Sequence, residues 1–195
     1  MSSPRETLHD ALGASTRVFV RHPALQDQRS YCELRKSNRD FHSPWEPRPN
    51  PGSDPYSPAA FLEVLRTSRT ETSERLFLCR VEDGQLLGYF GVSSITRGPL
   101  QSAYLGYWIG QEFSRQGYMR EGLPLVLDHV FGELGLHRIE ANIQPQNHPS
   151  ISLVRSVGFR REGFSPRYLK IDGRWRDHER WAILADEWRS IRTRD

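Results

Sequence analysis

Apolar positions recur along this chain with two periods, and the switches between them mark the elements. Val18, Phe19 and Val20 are the β-branched and aromatic residues of a first strand over 16–21. Pro23 stands where a helix opens, and Leu25, Tyr31 and Leu34 mark that helix over 24–37. Ser57-Pro58 starts a second helix, with Phe61, Leu62 and Leu65 on one face. Residues 75–81, 86–95 and 102–109 read as three strands, the first two joined by a hairpin at Asp83-Gly84. Gly106 in the third predicts a bulge or a close backbone approach. Leu123, Val126, Leu127, Val130 and Leu134 fall at helical spacing and predict a helix over 117–134; Pro124 inside it predicts a kink or a frayed first turn. A strand over 137–143 follows, then a short helix over 149–157 capped by Gly158. Two last strands, 161–170 and 175–184, flank the turn Ile171-Asp172-Gly173-Arg174. This order predicts an α/β (α+β) fold with one mixed, largely antiparallel sheet of seven strands flanked by about four helices.

Composition sharpens the picture in a few places. A chain of 195 residues, 36% hydrophobic and 26% charged, fits one soluble domain with a full core. That domain is expected over 15–188, after a loosely ordered polar segment 1–14 and before a basic tail 189–195 with Arg189, Arg192 and Arg194. A net charge of +3 is too mild to argue for nucleic-acid binding. Cys32 and Cys79 lie far apart with no metal spacing, so a reduced, cytoplasmic protein without a metal is expected. No signal peptide or membrane-length apolar run is visible. Residues 43–58 hold six of the 13 prolines, around Pro44-Trp45-Glu46-Pro47. Proline removes a donor and fixes φ, so helix and central strand are excluded there, and a connector of this length is functional or disordered.

The candidate chemistry lies in residues 103–159. The strand Ala103–Gly110 runs into a polar turn, Ser114-Arg115-Gln116-Gly117, and a helix opens at Gly117-Tyr118-Met119-Arg120. Strand, glycine turn and helix N-terminus make a phosphate site: free N–H groups point at the ligand and the positive helix end favours negative charge. Asn147-x-x-Ser150, opening a second helix that closes on Gly158-Phe159, can orient the rest of a long phosphorylated ligand. Asn147 can at the same time cap that helix, and the alternative reading of Ser150 is a second capping hydroxyl.

On these residues, with Leu105-Gly106-Tyr107-Trp108-Ile109-Gly110, His137-Arg138-Ile139 and the run from Tyr168 to His178, the chain resembles the GNAT superfamily of acetyl-CoA-dependent N-acetyltransferases. Within it the chain is most similar to the ribosomal-protein N-terminal (alanine) acetyltransferases of the RimJ/RimL type, and its last third to the RimJ branch. The resemblance covers roughly residues 15–188. It implies acetyl-CoA as cosubstrate and a protein N-terminus, that of a ribosomal protein, as acceptor. It implies cofactor binding by Trp108 and Ile109 on the strand, by Arg115, Gln116, Gly117, Tyr118, Met119 and Arg120 in the turn, and by Asn147 and Ser150 on the second helix. Ser150 and Glu140 are the catalytic candidates. Trp45 and Tyr168 are the acceptor-side candidates, ahead of Trp108 and Trp175. Adjacent strand residues point to opposite faces, which argues against an Asp177-His178 dyad.

Two departures from the family pattern matter. Val154 stands where many members carry a tyrosine acid, and Leu169 where some carry a glutamate base. An α-amine with a pKa of roughly 7.7–8.0 is about a tenth neutral at pH 7, whereas a lysine near 10.4 is neutral only about 0.04% of the time. A site without a strong base therefore favours an N-terminal amine. Acetylation of a small amine (antibiotic, polyamine or amino acid) and a weakly catalytic, acyl-CoA-binding, ribosome-associated factor stay open as alternatives.

Overall fold

The computed structural model describes residues 10–193. Eight strands form one sheet: β1 (Gly13–Ala14), β2 (Val18–Arg21), β3 (Ser73–Arg80), β4 (Leu86–Thr96), β5 (Ser102–Ile109), β6 (Arg138–Ile143), β7 (Arg160–Ile171) and β8 (Arg174–Leu184). Their order is β1-β2-β3-β4-β5-β6-β8-β7. Every neighbouring pair is antiparallel except β5 and β6, which run parallel. The α-helices among the described residues are α1 (Gln28–Ser37), α2 (Arg39–His42), α3 (Pro58–Arg66), α4 (Tyr118–Gly132), α5 (His148–Ser156) and α6 (Ala185–Arg192).

The core lies on both faces of the sheet. On one, Tyr31 of α1 stacks on Phe77 of β3 (centroids 5.6 Å apart) and meets Phe61 of α3. On the other, the stripe Leu123, Val126, Leu127 and Val130 of α4 is fully buried, as are Leu76, Leu78 and Phe90 beneath it. Gly122 lets that helix sit close: a Cβ there would stand 2.5 Å from Leu78 Cδ1. Burial of such side chains, each worth about 1.5–3 kcal/mol, is what holds the helices to the sheet.

The class and element order agree with the sequence reading; the counts do not. The eighth strand is the two-residue β1, too short to carry a periodic signal, and it pairs residues 13–14 with β2, inside the segment expected to be loose. Residues 1–9 of that segment lie outside the described residues. The additional helices are α2, a single turn, and α6, which takes residues 189–192 out of the expected basic tail. Arg192 there donates to Asp128 (3.1 Å) and lies over the Trp188 ring; Arg194 is outside the described residues.

Two local expectations change, at Gly106 and at Ser43–Trp45. Gly106 sits in regular register opposite Gly91 with open space at its Cβ position; the irregularity of this pair lies between Ser93 and Thr96. The helix α4 is continuous through Pro124. The bond that proline deletes is to the carbonyl of Arg120, an exposed first-turn residue whose oxygen water can serve. Ser43–Trp45 forms one 3₁₀ turn with proline in its first turn, the position that tolerates a missing donor.

Candidate active site

The site originates where the sheet comes apart. β5 and β6 pair only through Ser102–Arg138, Ala103–Ile139 and Tyr104–Glu140. Beyond Tyr104 the strands diverge, and a cavity of about 580 Å³ occupies the opening, lined by β5, the turn before α4, one side of α5 along its length, and the end of α2 with the segment after it. Gly110 N–H donates to Leu87 O on β4 (2.9 Å). Because an antiparallel ladder alternates, Trp108 also bonds toward β4, while the N–H and C=O of Tyr107 and Ile109 turn toward the opening. Ile109 C=O accepts from His42 Nε2 (2.8 Å), which leaves the N–H groups of Tyr107 and Ile109 as strand donors on that side.

The turn before α4 has a geometry that could receive an anion. Arg115 (φ +59°) and Gly117 (φ +86°) are both left-handed, which curls successive N–H groups inward. Among the described residues the N–H groups of Arg115 through Arg120 meet no backbone or side-chain acceptor. Glycine is required at 117 for its φ: a Cβ would point toward the Arg17 guanidinium, 3.1 Å away. Arg17 pairs with Glu121 and thereby neutralises the carboxylate in the first turn of α4, which it holds below the usual carboxylate range. The cleft-lining Arg115 and Arg120 are exposed and add positive charge at the mouth. Gln116 departs from this pattern: its side chain turns back to the Glu112 carbonyl (2.6 Å), so only its backbone is offered to a ligand.

Across the opening, Asn147 Oδ1 accepts from Ser150 N–H (3.2 Å) and caps α5, while Pro149 occupies the first turn. The capping reading of Asn147 therefore holds, and Asn147 and Ser150 both line the cleft as well. Tyr107 joins the two walls. Its hydroxyl donates to Ser150 O (3.3 Å), and burial pushes its phenol pKa well up, only partly offset by the Ser150 side chain.

The other end of the cleft is roofed by the proline-rich segment. Arg35 of α1 is buried, lies over the Trp108 ring (5.0 Å) and forms a two-bond pair with Glu46 (2.9 and 2.7 Å). Its guanidinium also donates to His42 Nδ1 (2.9 Å). Arginine has no acceptor, so Nδ1 accepts and Nε2 carries the proton given to Ile109 O. Burial, reinforced by the Arg35 charge, lowers the His42 pKa against the opposing effect of the Ile109 bond. Beyond His42 the chain is tied at Pro44 O by Gln144 (3.1 Å), at Glu46 O by Asp172 N–H (3.1 Å) and at Arg48 by Asp172 Oδ1 (2.8 Å). Residues 44–48 thus form a strap from α2 to the β7–β8 turn.

The structure gathers Trp108, Ile109, Arg115, Gly117, Tyr118, Met119, Arg120, Asn147, Ser150 and Trp45 around one cleft. It leaves Glu140 and Tyr168 outside. Glu140 is held by Arg138 (2.9 Å) on the paired part of β6, before the strands part. Tyr168 packs against His178 (5.8 Å) on β7, and Trp175 is 62% exposed on β8. Val154 is buried in the core and Leu169 is exposed, so neither position supplies an acid or base. The sequence reading missed Tyr107, Phe41, His42, Glu46 and Phe113, which also line the cleft. Adjacency to Trp45 and Trp108 was the only signal for His42, Glu46 and Tyr107. Among the described residues no cluster of His, Cys, Asp and Glu side chains forms inside the cleft.

Comparison with known proteins agrees with this geometry. Residues 17–160 match the model of the acetyltransferase (GNAT) domain. The chain is 33% identical over 174 residues to the [ribosomal protein uS5]-alanine N-acetyltransferase of Escherichia coli, covering 88% of this chain and 90% of that one. It is similar to the structure of Mycobacterium smegmatis RimJ in complex with CoA-disulfide, with a TM-score of 0.80 and 33% identity over 87% of this chain and 83% of that one. It is also 29% identical over 155 residues to a spermidine N(1)-acetyltransferase of Vibrio cholerae, covering 78% of this chain and 84% of that one.

Proposed function

This chain belongs to the GNAT acetyltransferase family and is an acetyl-CoA-dependent N-acetyltransferase; from that premise we propose that its acceptor is the N-terminal α-amine of a protein, a ribosomal protein by similarity. The observation that carries this reading is the cleft itself: anion-binding N–H groups at one end, and at the other a strapped aromatic mouth without an unengaged carboxylate.

The residues present fit acetyl-CoA. The unpaired N–H groups of 115–120, the α4 N-terminus and Arg115 and Arg120 suit its pyrophosphate. Bound there, acetyl-CoA supplies a thioester open to attack by a neutral amine. The chain's own contribution is positioning and polarisation. The Ile109 N–H, with Tyr107 N–H one strand repeat before it, faces the opening where the thioester carbonyl would lie. His42 engages the Ile109 carbonyl, in the peptide that follows the one carrying this N–H, and so holds the end of β5 in place. Ser150, at the α5 wall, is placed to hold a water or the sulfur end. Glu46 is the carboxylate of the mouth, but Arg35 engages both its oxygens. An acceptor whose own pKa leaves a useful neutral fraction at pH 7 suits such a site, and an α-amine does. A cytoplasmic setting fits an acceptor of this kind.

The test is a steady-state assay of thiol release from acetyl-CoA, with an alanine-initiated peptide and with spermidine. We expect the peptide to be favoured by at least about tenfold in kcat/KM, ~1.4 kcal/mol of discrimination. Preference for spermidine would move the assignment to small-amine acetylation, and turnover with neither would favour a binding factor.

A further inference from the structure

A second polar cluster lies outside the cleft. His22, just after β2, Glu74 at the start of β3 and His129 in the last turn of α4 bring one ligand atom each within 4.8 Å of one another. His22 Nε2 is 2.6 Å from Glu74 Oε2, and His129 Nε2 is 3.5 Å from the same oxygen. Glu74 is 3% and His129 8% exposed. Neither ring nitrogen of His129 has a hydrogen-bond partner, and an unpaired buried polar group costs about 1–3 kcal/mol. The cluster takes no part in the acetyl-transfer site: its residues do not line the cleft, and His129 lies eleven residues past Tyr118, roughly 16 Å along α4.

We propose that His22, Glu74 and His129 bind one divalent transition-metal ion of the zinc class, which clips β2, β3 and α4 together. Two imidazole nitrogens and a carboxylate oxygen are a donor set for such an ion, with a fourth position left for water. Tetrahedral ligands at roughly 2.0–2.1 Å from zinc stand about 3.3–3.4 Å apart. The observed 2.6 and 3.5 Å to Glu74 bracket that value, and the two histidine nitrogens lie within 4.8 Å of each other. The ion would take the Nε2 lone pair of His129 in the tautomer that carries its proton on Nδ1, and would balance a carboxylate buried beside it. The His22 side chain is 22% exposed and provides the entry route. The ligands come from positions 22, 74 and 129, a separation that no local motif reveals.

The test uses untagged full-length protein, stripped with a chelator and desalted, then titrated with Zn²⁺ in a calorimeter. One zinc per chain is expected, and at zinc about 100-fold above Kd the thermal midpoint should rise by about 5–10 °C. His129→Gln and His22→Gln should each weaken binding at least tenfold and remove the rise. His22 is at the rim, so its variant decides if His129→Gln fails to fold. No zinc uptake by the wild-type chain, or uptake unchanged in the His22→Gln variant, would reduce the cluster to a hydrogen-bonded polar knot.

Discussion

Gly117 combines two demands at one residue: a left-handed backbone and N–H groups curled toward an anion. Alanine there pays the left-handed penalty and relaxes the curl without altering the core. Gly117→Ala should weaken acetyl-CoA binding at least tenfold, ~1.4 kcal/mol, while the circular dichroism of the fold is retained. Equal affinity by calorimetric titration would remove the turn from the binding site. His42 makes a prediction in pH. Its folded pKa is depressed below its ordinary value near 6.5, so the unfolded chain takes up the proton first as pH falls. The stability tied to its neutral form is fully present above about pH 6.5 and declines below it, toward the folded pKa. Arg35, Glu46 and Glu112 are the charges facing it. Between about pH 7.5 and 5.5 the melting temperature of the wild-type chain should fall more steeply than that of His42→Gln. Parallel slopes would show that His42 titrates as freely in the folded chain as in the unfolded one.

The elements were legible where a single local signal sufficed. The strip Leu123–Val130, the Ser57-Pro58 helix start and the turn at Gly117 were all read from neighbouring residues, and the structure contains each of them. Elements and contacts set by distant partners were not legible. The two-residue β1 exists only because β2 pairs with it. The roles of His42 and Glu46 depend on Arg35, a residue that reads as an ordinary surface arginine on α1 until folding buries it. Glu140 was chosen from strand alternation, which gives the face of a strand but not where β5 and β6 part. The gap between the proline-rich loop and the β7–β8 turn is bridged by the Glu46–Asp172 and Arg48–Asp172 bonds, so an acceptor reaching the cleft from that side would pass beneath the strap. Trp45, 37% exposed on the strap and lining the cleft, is placed to meet it there. Trp45→Ala should raise the KM for a peptide by about tenfold and change acetyl-CoA affinity by less than about twofold. An equal loss on both substrates would place Trp45 in the cofactor half instead.

At the scale of the whole molecule, the fold separates two tasks. On the proposed reading the α4 turn and α5 would hold the phosphates and the arm of acetyl-CoA, while α2 and the strap, backed by Arg35 of α1, would shape the acceptor mouth. The parting of β5 from β6 joins them and exposes Ile109 N–H between the two. No helix among the described residues is long and apolar enough to cross a membrane. On this proposal the site relies on polarisation and positioning, and the acceptor supplies its own neutral amine. The most direct measurement is mass spectrometry of two peptides incubated with enzyme and acetyl-CoA: one with a free alanine α-amine and no lysine, the other blocked at its N-terminus and carrying one lysine. The free α-amine should be acetylated at least about a hundredfold faster, following the roughly 0.04% of lysine that is neutral at pH 7 against about a tenth of an α-amine. Faster modification of the lysine would contradict the N-terminal assignment and leave only the general acetyltransferase.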